Sequence, residues 1–417
     1  MNKKLSPEIG RAAMRALIKE GSPLEPLKVM AKHVGRFFQI PLPGFRPYVV
    51  FGPEANRKVL VTERDKVLWG NTDPVTDLLR QGVLIVDSAE HDRYRKQMEP
   101  PLHPSRLPDY TSRFIFHTDR VSAQWRDGET VDMLIEARKI ALLIIMDTLF
   151  RKDAWNDLSL IWTPILKAIE YISPGMWIIW RKLPRFGFKK HLKVLDDYLY
   201  RIISNRRIGT FEPDLLQHLI DAGLTANVIR DQMLTMLIAG HDTSTALLAW
   251  TFALLGQHPE VHARVMNEVD SQEKSALLDQ VIKESLRLYP PIHIGNRRVA
   301  KEMEFSEGNV PADERMFYSI YLTHRDPEIW KNAEDFYPER FAHGRKTLPF
   351  SYVPFGGGPR ACIGGAFGQA EARIVMKRLL QTHTFEFTNH KIHAHMGATL
   401  EPRPGVRMKV IKRTPLD

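Results

Sequence analysis

Cys362 is the single cysteine of the chain, and it lies in Phe355-Gly356-Gly357-Gly358-Pro359-Arg360-Ala361-Cys362-Ile363-Gly364. A lone thiol closes no disulfide within the chain and cannot build a four-cysteine zinc or iron–sulfur site. Three roles remain: an inert core residue, a nucleophile, or one axial ligand to a metal. Isolated cysteines are most often buried and inert, yet these neighbours favour the ligand. Gly356, Gly357 and Gly358 let a backbone fold tightly beneath a flat group where a side chain would collide. Gly364 permits close approach of the helix that follows. Arg360 offers a fork of donors suited to a carboxylate, and Phe355 can shield the sulfur from water. A helix starting near Ile363 would aim its amide-rich end at the sulfur and favour the thiolate.

Three further groupings could do chemistry. Ala239-Gly240-His241-Asp242-Thr243-Ser244-Thr245 puts glycine, a carboxylate and hydroxyls inside a long apolar helix. Read blandly it is a helix that tolerates polar residues; read functionally it is a weak point, because hydroxyls compete for backbone carbonyls, where dioxygen and water could enter beside a metal. Glu284 and Arg287 stand three apart and share a helix face, by itself an ordinary pair. His91 and Arg95 stand one helical turn apart, either a solvated basic face or an anion contact.

The pattern F-x-x-G-x-R-x-C-x-G fixes five positions whose chance occurrence in a chain of this length is roughly one in ten thousand. It resembles the haem-binding loop of the cytochromes P450, the haem-thiolate monooxygenases. Ala239 to Thr243 matches that family's A-G-x-D/E-T element, Glu284 and Arg287 its E-x-x-R, and Pro338-Glu339-Arg340-Phe341 its P-E-R-F. The resemblance covers the chain from residue 45 to the C-terminus and is of the soluble bacterial type. It implies a mainly α fold with a minor β component: one haem domain over 1–417, with 1–44 leading into it. It also implies heme b with Cys362 as axial ligand of the iron, and Phe355, Gly356 and Gly364 shaping the loop. Ala239 and Gly240 would lie against the distal haem face, with His241 pointing away. Thr243 would hydrogen-bond the oxygen ligand while Asp242 relays protons. His91, Arg95, Arg297 and Arg360 would meet the propionates; strand alternation lets only one of Arg297 and Arg298 face inward, and spacing favours Arg297. Glu284, Arg287 and Arg340 would brace the cysteine loop without taking part in bond-making.

The activity implied is monooxygenation of a lipophilic substrate, such as a fatty acid, terpenoid or steroid, with dioxygen as co-substrate. The chain shows no flavin or iron–sulfur module, so electrons from NAD(P)H would arrive through a ferredoxin or flavodoxin and its reductase. A peroxide-driven peroxygenase and a non-catalytic thiolate-ligated haem sensor are the alternatives, and the Asp242 and Thr243 pair argues against both. Leu84, Ile85, Ala239, Ile292, Ile294 and Thr399 are expected to line the pocket, with His293 adding a polar contact or facing solvent. The aromatic stretch Tyr171 to Lys182, with Trp177 and Trp180, reads as a core loop or as a lid whose apolar tip meets substrate or a membrane surface.

The elements that must position these groups are helices. Apolar residues recur at helical spacing over 215–220, 228–255, 261–269 and 277–288, with Thr225 as N-cap and His258-Pro259 as stop. A strand and turn over 47–53 precedes a helix over 54–61, and short β pieces are expected around 299–305, 315–319 and 406–411. No Gly/Ser-rich spacer or internal repeat divides the chain. No apolar run approaches the span of a bilayer, and one cysteine without an export signal fits a reducing cytoplasm. Lys and Arg number 59 against 49 acidic residues, a formal charge of +10. The basic residues are spread along the chain with no nucleic-acid-binding signature. A monomer with a docking face for an acidic electron donor is expected, with His91, Arg93, Arg95, Lys96 and Arg106 in one basic segment.

Overall fold

Two helices form the interior because their sequences are apolar on every side. The computed structural model describes residues 6–42, 44–69, 74–174, 186–206, 214–271, 276–389 and 391–413. Within them Ala226–Gln257 and Met133–Phe150 are buried around nearly their whole circumference and form the most extensively packed pair of elements. Thr225 caps the longer helix by accepting from the Val228 amide at 3.4 Å, and the helix ends at Gln257 where Pro259 opens the next one, Pro259–Asp270. Around this pair pack Ser88–Leu102, Leu107–Ser122, Leu158–Ile172, Phe188–Arg206, Ala276–Leu288 and Gly365–Thr382. The mainly α class with a minor β component is what the structure shows.

The weak point expected at 239–245 does not open: the long helix runs unbroken through it. The Thr243 and Thr245 hydroxyls donate to carbonyls four residues back, at 2.6 and 2.8 Å, so they support the ladder at these positions. On its flank Gly240 meets the facing helix, where a Cβ would collide with Ile145 Cδ1. The glycine is there for helix–helix approach.

The largest sheet has five short strands in the order Phe37–Gln39, Tyr48–Val50, Arg315–Ser319, Ile294–Val299 and Val67–Leu68, with Tyr48 parallel to Met316 and the other pairings antiparallel. The β piece expected over 299–305 is two strands. Ala300 turns its amide to the Lys66 carbonyl, and Met303–Phe305 then forms its own hairpin with Gly308–Val310. The helix expected over 54–61 is α-helical only over Pro53–Arg57 and continues as a π-helical turn, Lys58–Thr62. Among the described residues no helix is long and apolar enough to cross a membrane.

Candidate haem-thiolate site

The cysteine loop closes on its own backbone. The Cys362 amide donates to Phe355 O at 2.8 Å, Gly356 to Val353 O at 3.0 Å, and Ala361 to Gly358 O at 3.0 Å. Gly356 and Gly358 adopt φ of 69° and 64°, a left-handed backbone that costs other residues about 1–2 kcal/mol. At Gly358 a Cβ would also strike the Leu60 carbonyl. Gly358→Ala is therefore expected to destabilise the protein by about 2 kcal/mol or more and to speed haem loss, checked by chemical unfolding and by haem transfer to an acceptor globin. Gly364 differs from expectation: a Cβ there would meet no neighbouring protein atom, and it is Gly365 that faces the Phe355 ring, where an added Cβ would come into van der Waals contact at 3.4 Å. The following helix starts at Gly365, two residues later than the spacing suggested.

Cys362 is accessible although protein atoms surround it on most sides, as for a residue lining an internal recess. Burial pushes its thiol pKa up, while the Gly364 amide and Arg95 pull it back. Arg95, from the helix Ser88–Leu102, donates to the Ala361 carbonyl at 2.6 Å. Arg360 donates to Val86 O at 2.5 Å and pairs with Asp87 at 2.7 Å. Arg297 is inward and buried while Arg298 is exposed, as strand alternation requires, and Arg297 lies between the rings of Trp69 and Tyr318 at 5.4 and 5.3 Å. Trp69 donates its amide to the same Asp87, at 3.1 Å. Burial lowers the His91 pKa; Asp92, 2.8 Å from Nδ1, opposes this and Arg360 and Arg95 add to it. The rim thus carries three guanidiniums and an imidazole that is neutral at neutral pH.

On the long helix the accessible residues form a short strip, Ala239, Gly240 and Thr243, within an otherwise buried segment. His241 faces the other way, its Nε2 3.2 Å from the Arg138 carbonyl, and burial drives its pKa to about 3. Asp242 is 2% exposed and accepts from Thr399 Oγ1 at 2.8 Å. Burial raises its pKa against the opposing pull of Arg138, Thr399 and Arg403. The Thr399 hydroxyl is therefore engaged by the acid instead of being presented to a pocket.

Glu284, Arg287 and Arg340 come together. Arg287 grips Glu284 with two bonds of 2.8 Å and donates to His324 O, Ala333 O and Asp335 O at 2.7–3.0 Å. Arg340 reaches Glu284 Oε1 at 3.0 Å and the Lys331 and Asn332 carbonyls at 2.5 and 2.7 Å. The link onward to the cysteine loop is a residue that the motifs did not reveal. His324 Nε2 accepts from the Val353 amide at 2.9 Å while Nδ1 meets Arg287 O at 3.2 Å. Burial, with Arg287 and Arg325 nearby, holds it neutral with a pKa of about 3.

Glu371 also went unread. Ser244 donates to it at 2.6 Å, tying the long helix to the cysteine helix, and burial pushes its pKa to about 8. A carboxylate four residues from both Phe367 and Val375, on an apolar stripe, was the available signal.

The pocket candidates separate. Leu84 and Ile292 are accessible, at 39% and 41%, whereas Ile85 is buried in the main core and Ile294 packs toward the N-terminal cluster around Phe38 and Tyr321. His293 is buried, not solvent-facing, with a pKa lowered by burial to about 4. Trp177 and Trp180 lie outside the described residues. The donor set fits an anionic macrocycle that takes one thiolate: a glycine-formed cradle, an accessible thiol and three rim guanidiniums suited to carboxylates.

Comparison with known proteins agrees with this chemistry. Residues 7–406 match the sequence profile of the family described as Cytochrome P450. The chain is 31% identical to Protein LUTEIN DEFICIENT 5, chloroplastic, of Arabidopsis thaliana over 82% of its own length and 66% of that protein's. It is 29% identical to the cyclooctat-9-en-7-ol 5-monooxygenase of Streptomyces melanosporofaciens, over 85% of this chain and 83% of the relative. Its fold superposes on the retinoic acid-bound cyanobacterial CYP120A1 with a TM-score of 0.85, covering 96% of both chains at 24% identity.

Proposed function

Since the chain belongs to the cytochrome P450 family and is a monooxygenase of it, we propose that it binds heme b through the Cys362 thiolate and oxygenates a lipophilic cyclic compound. Electrons from NAD(P)H reach it, in a reducing cytoplasm, through a separate ferredoxin or flavodoxin and its reductase. The observation that carries this reading is the pairing of an accessible lone thiol with a buried helix whose accessible strip includes Thr243, directly preceded by the buried acid Asp242. When bound, the haem supplies dioxygen activation and the insertion itself.

The chain's own part is binding and proton handling. Arg95, Arg297 and Arg360 hold the propionates, and Glu284, Arg287 and Arg340 keep the cysteine loop in place. Thr243 donates to Ala239 O at 2.6 Å, which leaves its lone pairs free to accept a hydrogen bond on the accessible side. Asp242, held above the ordinary aspartate range by burial, retains a proton to higher pH than a free carboxyl and serves as the local acid. Leu84, Ile292 and Ala239 present apolar surface to substrate. The name of the Streptomyces relative, a cyclooctat-9-en-7-ol 5-monooxygenase, supports a cyclic substrate over a linear fatty acid.

The test is turnover of cyclic isoprenoid alcohols under isotopically labelled dioxygen with NAD(P)H and a ferredoxin pair. One labelled atom per product molecule is expected, and Thr243→Val should divert electrons to hydrogen peroxide, lowering product per NAD(P)H about tenfold. Product formed only with added peroxide would establish the peroxygenase instead. Haem binding without product under either condition would establish the sensor.

A further inference from the structure

A buried aspartate beside an arginine ordinarily loses its proton: an opposite charge within a few ångströms lowers a carboxyl pKa by about 1–3 units. Asp242 has such a neighbour, since Arg138 Nη2 lies 3.6 Å from its Oδ1. Yet the two form no hydrogen bond, and Oδ1 has no hydrogen-bond partner among the described residues, so the contact is an ion-pair approach only. The reason is Glu401. Its Oε1 is bonded directly to Arg138 Nη2, the same nitrogen that faces Asp242. Its Oε2 is held at 3.1 Å by Arg403, which is half exposed. Glu401 and Arg138 are 4% and 7% exposed, so neither charge is relieved by water.

Three elements converge on this cluster. The helix Met133–Phe150 brings Arg138, the long helix brings Asp242 and His241, and the strand Leu400–Arg403 with the residue before it brings Thr399, Glu401 and Arg403. The strand is pinned to the long helix by Trp250 Nε1, which donates to Leu400 O at 2.8 Å, so Glu401 and Thr399 are carried on a fixed support. His241 is neutral and adds no charge. The facing charged groups are thus Arg138 and Arg403 against Glu401 and Asp242, with Asp132 acting on Arg138 from the start of its helix and His395, its pKa lowered by burial and by Arg403, opposite Glu401 on the paired strand. With Glu401 hydrogen-bonded to both guanidiniums, Asp242 is left as the carboxyl without a hydrogen-bonded cation, Arg138 standing 3.6 Å away.

We propose that Glu401 is a positioning residue that holds Arg138 off Asp242 and so keeps the acid beside Thr243 in its proton-bearing form, while Thr399 orients the freed carboxyl and pulls weakly the other way. This rests on the reading of Asp242 as the local acid. Without Glu401, the Arg138 fork is released, closes a gap of 3.6 Å and converts Asp242 to a paired carboxylate. The strand end of the β region thereby sets the protonation of a helix residue distant in sequence.

The experiment is a pH titration of the Asp242 carboxyl C=O band by difference infrared spectroscopy on the haem-loaded protein, the band assigned by its loss in Asp242→Asn. Glu401→Gln is expected to lower the titration midpoint by about one pH unit or more, and Arg138→Gln to raise it. If Arg138→Gln does not fold, Thr399→Val supplies the upward shift, because it removes a hydrogen bond that favours the carboxylate. Opposite shifts set these variants apart from general loosening of the core. Unmoved midpoints, or shifts of Glu401→Gln and its counterpart in the same direction, overturn the proposal. Peroxide release under turnover is measured in parallel. A midpoint that falls in Glu401→Gln while peroxide yield stays at the parent level upholds the positioning role and instead removes Asp242 from proton delivery.

Discussion

Cys362→Ser is expected to leave the reduced, carbon monoxide-treated protein without a red-shifted Soret band and to lower oxygenation by at least about a thousandfold, or about 4 kcal/mol in barrier. A serine hydroxyl is a hard, neutral oxygen at neutral pH, whereas the proposed ligand is a thiolate whose electron donation favours O–O cleavage. The loop itself does not depend on the sulfur. Its closure runs through backbone bonds, Cys362 N to Phe355 O and Ala361 N to Gly358 O, and through Arg95 to the Ala361 carbonyl. The variant therefore tests ligation apart from folding. Circular dichroism matching the parent, with the thiolate-type spectrum lost, is the expected pair of results; a red-shifted band that survives would refute ligation by Cys362.

The second large effect is expected far from any bond-making. Arg287→Ala removes a side chain with no exposed surface that satisfies Glu284 and three backbone carbonyls. Breaking a buried pair leaves an uncompensated charge at about 3–5 kcal/mol. Arg340 keeps one bond to Glu284 and offsets part of this, but it reaches none of the His324 and Ala333 carbonyls. Because His324 joins Arg287 to Val353, the loss propagates to the cysteine loop, and purified protein should carry little haem. Arg287→Lys restores the charge without the fork and should recover only part of the stability. The double variant Glu284→Gln with Arg287→Met should be milder than Arg287→Ala, since no buried carboxylate is left alone and Arg340 keeps the Lys331 and Asn332 carbonyls. Urea unfolding and haem content check these outcomes; a loss below about 1 kcal/mol for Arg287→Ala would show that the cluster is not a brace.

What could be read in advance follows the range of the interactions. Helices over 215–220, 228–255, 261–269 and 277–288 were legible because apolar periodicity is a property of neighbouring residues, and the structure places helices there within a few positions. The cysteine loop and the Glu284–Arg287 pair were legible for the same reason, each confined to a single loop or one helical turn. Local chemistry misled where packing intervened. Gly240 and Thr243 suggested a broken helix, yet the facing helix at Ile145 and the back-bonded hydroxyls keep it whole. Gly364 suggested the helix contact, yet it is Gly365 that faces the Phe355 ring.

His324, Arg138 and Glu401 escaped because nothing in their own neighbourhoods marks them, and Glu371 offered only its place on an apolar helix stripe. Their partners stand 29, 104, 263 and 127 residues away in the chain, at Val353, Asp242, Arg138 and Ser244. The family, the lone thiol and its glycine cradle, and the helical class were therefore written in residue types and short spacings. How the Glu284, Arg287 and Arg340 cluster is joined through His324 to Val353, and which charged groups surround Asp242, were decided only when folding brought distant segments together. Burial is the physical reason. It turns an ordinary carboxyl, imidazole or guanidinium into a group whose charge is governed by the one or two neighbours it can reach.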